Sequence, residues 1–231
     1  MAIGVLLAAV LLTGIASAGT VGSAREDQLG TSDFSRDVLS SALIATLIVF
    51  LLGVVSVTTE WRHGTVTRTF LITPQRARVL VAKELWIVGL GAVLFVLALT
   101  ITLAVSVPWL SIRGSSLEVD GHLLGLVGRG VLATMVWGVL GVGVGAIVQN
   151  QTAALIGAII WVLPVEALAT ALLGVFDLEE LGDYLPARAV SAFDGTVDDG
   201  LSPWAGGAVA LAYGFAFAAA GWFRIRRQDI T

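Results

Sequence analysis

Few residues in this chain are equipped for chemistry. It has two histidines, His63 and His122, and no cysteine. Without cysteine there is neither a disulfide nor a thiolate metal site. No G-x-x-x-x-G-K-[ST] stretch is present to cradle nucleotide phosphates, and neither H-E-x-x-H nor G-x-S-x-G occurs. One carboxylate, Glu166, is read inside a long apolar run, two residues after Pro164. A charge at bilayer depth costs about 3 kcal/mol on insertion scales and faces protein or water. Glu166 therefore has two readings. It lines or gates a substrate pathway, or it is a protonated or paired group bracing a helix that Pro164 kinks. An intramembrane enzyme built on Glu166 alone has little support, since no partner acid, histidine or metal ligand accompanies it.

The elements that must position these residues are apolar. The 231 residues are 57% hydrophobic and 13% charged, with a mean hydropathy of +0.93. Soluble domains are about 25% charged. Long Leu-, Ala- and Val-rich runs favour membrane helices over the alternating strands of a barrel. The chain reads as one all-α integral membrane domain, residues 1–231, with six transmembrane helices at roughly 2–18, 38–58, 85–109, 125–148, 152–175 and 204–223. A cytoplasmic loop spans 59–84 and an outer acidic segment spans 176–203.

Charge sorts by loop. The 59–84 loop holds Arg62, Arg68, Arg76, Arg78 and Lys83, the only lysine in the chain, against Glu60 and Glu84. The tail holds Arg224, Arg226 and Arg227 against Asp229. The 176–203 segment has seven acidic residues against Arg188. Positive charge marks the cytoplasmic side, so the loop, the tail and, with six spans, the N-terminus are all predicted to be cytoplasmic. His63 and His122 then fall on opposite sides and cannot share a metal. The opening run, ending in Ala16-Ser17-Ala18, lacks the positive start of a signal peptide and is read as a retained span.

Other signals are weaker. The Gly138, Gly141, Gly143 and Gly145 series lies in an apolar helix, so a dinucleotide-binding reading fails. Gly141 and Gly145 form a G-x-x-x-G pair for close helix packing, within the chain or against a second copy. Arg129 is placed to snorkel to headgroups. The sequon-like Asn150-Gln151-Thr152 falls in a turn predicted to be cytoplasmic. Phe176, Leu178, Leu181, Tyr184 and Leu185 recur at helical spacing, predicting one or two short amphipathic helices at the outer surface before the last span.

In the basic loop, Thr73-Pro74 predicts a helix start that runs unbroken into the third span. Gly64 predicts a joint before it. The series E-W-R-H-G-T, then T-F-L-I-T-P-x-R, then A-K resembles the cytoplasmic loop of the ABC-2 type transporter permease family. It does so through Glu60, Arg62, Gly64, Thr65, Thr73, Pro74, Arg76 and Lys83. The fifth-span W-V-L-P-V-E, the Y-L-P-A-R-A-V-S-A-F before the last span and the basic tail are similar to the same family. Family members usually open with an amphipathic helix on the inner surface, whereas this sequence opens in an apolar run.

The resemblance implies a multi-pass cell-membrane subunit of an ATP-binding-cassette exporter. It would pair with a second permease copy or homologue and dock a separate ATP-binding subunit that holds ATP and Mg²⁺. No cofactor is expected in this chain, and no nucleic-acid partner. Glu60, Arg62, Gly64, Thr65, Arg68, Thr73, Pro74 and Arg76 would couple ATPase motion to the spans. The substrate is not identified by the sequence. A non-transport sensor or assembly subunit of the same fold is the competing expectation.

Overall fold

The computed structural model describes residues 2–64, 76–117, 121–197 and 199–227. Among them the regular structure is entirely helical. Helix α1 covers Ala2–Ser23. After a turn, α2 (Ser32–Ser40) starts at Thr31, whose side chain accepts a hydrogen bond from the Phe34 amide. A 3₁₀ turn, Ser41–Leu43, links α2 to α3, Ile44–Arg62. Helix α4, Arg76–Ile112, has 37 residues, which is about 55 Å at 1.5 Å per residue. Helix α5 spans Gly121–Val148. A tight turn with Gln149 at φ 59° leads to α6, Gln151–Ile160, where the Asn150 side chain accepts from the Ala153 amide. A π-helical turn, Trp161–Val165, contains Pro164 and joins α6 to α7, Glu166–Val175. Two short helices follow, α8 (Glu179–Gly182) and α9 (Pro186–Asp194), and α10 (Pro203–Arg227) closes the bundle.

Five of these stretches are long and apolar enough to cross a membrane: Ser32–Arg62, Arg78–Ile112, Leu123–Val148, Gln151–Val175 and Pro203–Arg224. Helix α1 adds a shorter apolar stretch, Leu7–Ser23. Among the described residues the architecture is thus all-helical, with five helices long and apolar enough to cross a membrane. The helices differ from the sequence reading at two ends. The second span begins at Ser32 because α2 and the 3₁₀ turn lead straight into α3. The third extends back through Lys83 and Glu84, since nothing between Arg78 and Leu85 breaks the helix. Glu166 is therefore not the only carboxylate within an apolar helix; Glu84 is another. The Thr73-Pro74 helix start lies outside the described residues.

The core forms around α5. Its most extensive contact is with α3, followed by α10 and α4. Glycine makes this possible. A β-carbon on Gly145 would lie 2.7 Å from the Val54 carbonyl oxygen, and one on Gly53 would lie 2.9 Å from the Val142 nitrogen. One on Gly141 would overlap the Phe50 carbonyl. Gly141 and Gly145 thus seat α5 directly on the α3 backbone, so of the two readings of the pair, packing within the chain describes it. Gly143, on another side of α5, meets Phe217 of α10. Phe50 and Trp137 then pack edge to face with centroids 5.1 Å apart. The α6–α7 span is the least buried of the five, and α5 the most.

Such close backbone approach leaves no room for even one methyl. Gly141→Ala is expected to destabilise the fold by about 1–3 kcal/mol, the usual cost of overpacking. Gly157, with nothing within 4 Å of its would-be β-carbon, is expected to tolerate alanine at no cost. Thermal unfolding of the two variants in detergent, followed by the loss of the monodisperse elution peak, checks the contrast.

Candidate coupling site

The basic end of the bundle is where α3 stops and α4 begins. Helix α3 terminates at His63 and Gly64. The His63 amide donates to Thr59 O at 3.1 Å, and Gly64 adopts φ +64°, the left-handed turn that glycine tolerates best. One turn earlier, Glu60 Oε1 lies 2.9 Å from Lys83 Nζ. Lys83 also donates to the Ser56 carbonyl oxygen. Both charged side chains are partly covered, at 18% and 28% exposed, so solvent screens this pair less than a free surface pair. The result is a polar latch between α3 and α4. Arg62 Nη1 donates to Gln151 Oε1 at 3.1 Å, tying the same end of α3 to the first residue of α6.

Beside the latch lies an open groove of 640 Å³, lined by Ser56, Glu60, Arg78, Lys83 and Trp86 among others. Of the residues the sequence singles out for coupling, Glu60, Arg62 and Gly64 therefore meet at one end of α3. Thr65, Arg68, Thr73, Pro74 and the side chain of Arg76 lie outside the described residues. Sequence reasoning missed the Ser56 carbonyl and Gln151. A backbone acceptor leaves no trace in residue type, and Gln151 lies 89 positions from Arg62.

Glu166 is at the opposite, acidic end. It opens α7 immediately after the π turn and is only 3% exposed. Pro164 lacks the amide that an α-helix needs there, and the backbone widens into the π turn around it. Glu166 Oε1 accepts hydrogen bonds from the Ala187 and Arg188 amides, the latter at 3.2 Å. Those amides belong to the first turn of α9, whose N-cap, Leu185, offers no side-chain oxygen. The carboxylate supplies the missing cap from another helix and complements the positive end of the α9 dipole. Its Oε2 is buried without a hydrogen-bond partner among the described residues. Glu166 thus ties the start of α7 to the start of α9 through one oxygen.

A second polar cluster, which the sequence did not reveal, fixes the other end of α9. Asp194 is 7% exposed, and its Oδ1 accepts from the Thr196 amide at 3.0 Å and the Thr196 hydroxyl at 2.8 Å. Arg36 of α2 donates through Nε to Gly195 O at 2.8 Å. Burial pushes the Asp194 carboxyl up to about 6, against the opposing pull of the Thr196 hydrogen bonds and of Arg129 and Arg36. Arg129, expected to snorkel, instead faces this loop: its Nη2 lies 3.4 Å from where a β-carbon on Gly195 would sit. Among the described residues no three His, Cys, Asp or Glu side chains converge as a metal site would require.

Two outcomes follow at the acidic end. Glu166→Gln retains an acceptor for the α9 amides and is expected to keep α9 docked. Glu166→Ala leaves those donors unpaired and is expected to cost about 1–3 kcal/mol, read as faster proteolysis near residues 186–188. For Asp194 the folded group binds its proton more tightly than the unfolded one, so stability falls as pH rises from about 4 through about 6. The full span corresponds to roughly 3 kcal/mol. The melting temperature in detergent should therefore rise between pH 7.5 and 5.5, and Asp194→Asn should flatten that rise. Set against known proteins, the chain matches no family model and no curated protein.

Proposed function

We propose that this chain is the membrane subunit of an ATP-driven exporter of the ABC-2 type, working with a separate ATP-binding subunit. The observation that carries the reading is the latch at the basic end. There Glu60 and Lys83 join α3 to α4, and Arg62 joins α3 to α6. Three apolar helices thus share one charged attachment point beside an open groove. A push on that point would be felt by all three, which is what a two-state element biased from outside the membrane requires. The loop motif around Glu60–Arg76 supports the same reading.

In this proposal α1 is the sixth span, both termini are cytoplasmic and the α8–α9 segment lies on the outer surface. The partner subunit binds ATP and Mg²⁺. The exposed apolar face of α6–α7, with Ile156, Ile160, Leu163, Leu168 and Leu172, meets a second copy or a homologous chain. Substrate moves outward across the cell membrane between the two. Glu166 acts by holding α9 to α7 rather than by touching substrate.

Affinity purification of C-terminally tagged protein from mild-detergent extracts of native membranes tests this. A P-loop ATPase should co-purify, and the Glu60→Ala/Arg62→Ala double variant should lose it while still eluting as folded protein. Folded, abundant protein that captures no ATPase, even after cross-linking in intact membranes, would sink the exporter reading and favour a sensor.

A further inference from the structure

Helices α4 and α10 splay apart over α5, leaving a groove of 610 Å³. That volume is in the range of sites for drug-sized ligands. Its walls are almost wholly apolar and include Leu132, Val136, Leu211 and Phe215, with Trp204 at one end. Leu211 is 51% and Phe215 74% exposed, so the groove opens sideways toward the surrounding bilayer.

Among the residues lining it, only Glu84 is ionisable. Its Oε1 is buried and has no hydrogen-bond partner among the described residues. The neighbouring Lys83 does not neutralise it, because Lys83 is turned to α3 and held by Glu60 and Ser56. A carboxylate oxygen in apolar surroundings without a partner is costly. Lipid acyl chains could fill the walls but would leave the Glu84 carboxylate, which lines the groove, without a counter-charge. A ligand combining an apolar body with a positive charge satisfies both parts.

We propose that the α4–α5–α10 groove binds an amphiphilic cation, with Glu84 as its counter-ion. The site stands independently of the transport reading, since it requires neither an ATPase nor a second copy. It also gives Glu84 a role that the latch does not use.

Equilibrium dialysis of tetraphenylphosphonium against the purified full-length chain in detergent, with protein-free micelles subtracted, tests it. Saturable binding is expected. Glu84→Gln should weaken it by about tenfold or more, the scale of losing one ion pair in a partly dry site, whereas Glu84→Asp should retain most of it. Ala208→Trp, which fills the exposed groove wall and leaves Glu84 intact, should also weaken binding. Each variant is compared only as a monodisperse peak. If Glu84→Gln does not fold, the Glu84→Asp and Ala208→Trp pair decides. Wild-type affinity in Glu84→Gln or Ala208→Trp would overturn the proposal. So would non-saturable uptake, equal competition by the size-matched anion tetraphenylborate, or complete displacement by added phosphatidylcholine.

Discussion

The contact between α3 and α5 is made by backbone against backbone, and the rest of the bundle is arranged around it. Gly53, Gly141 and Gly145 remove the side chains that would hold the two helices apart. In lipid there is little hydrophobic gain in bringing two apolar helices together, so association rests on packing and dispersion. Close approach multiplies such contacts. Once α3 and α5 are joined, α5 offers its remaining sides to α4 and α10, and Gly138 and Gly143 repeat the device there. One helix thus serves as the common wall for three others.

Polar interactions are concentrated at the two ends of this apolar frame. At the basic end a single lysine is shared between a carboxylate and a carbonyl of α3. At the acidic end α9 is held at both termini, by Glu166 at its start and by the Asp194–Thr196–Arg36 cluster past its end. Short helices are marginal by themselves. For α9, nine residues long, the two anchors supply the order that its length does not. Buried hydroxyl pairs such as Ser17 with Thr102, 3.0 Å apart, add a lateral tie between α1 and α4.

Much of the fold was legible because apolar runs long enough to cross a bilayer have few alternatives. The glycine pair was legible as a packing face, and so was the presence of short helices before α10, but the spacing over residues 176–185 misplaced them: Leu178 and Leu185 are N-caps, and the longer helix, α9, lies beyond at Pro186–Asp194. What escaped was pairing across long sequence distance. Nothing in the letters ties Glu166 to residues 187 and 188, because its partners are backbone amides that every non-proline residue carries. The loop charges of Lys83 and Arg62 were visible as a motif, yet their partners Ser56 and Gln151 were not. Glu84 was assigned to a loop because hydropathy falls around it. The helix continues through it because helical hydrogen bonding does not require apolar side chains.

The length of α4 has a mechanical consequence. Ile87 is clamped beneath Gly138 of α5, so the part of α4 preceding it is an arm of 11 residues, about 17 Å. With Ile87 as fulcrum, a rotation of about 10° would sweep the Arg76 end through roughly 3 Å, given that arm length. Lys83 sits about a third of the way out from the fulcrum, so its bond to Glu60 would be stretched by only about 1 Å. Helix α4 is therefore geared. Its outer end would travel nearly three times as far as the latch must yield, and Leu80, buried in the same core cluster as Val57 of α3, would have to slide with it, so the ion pair acts as a spring near the hinge and the Leu80 packing as a brake farther out.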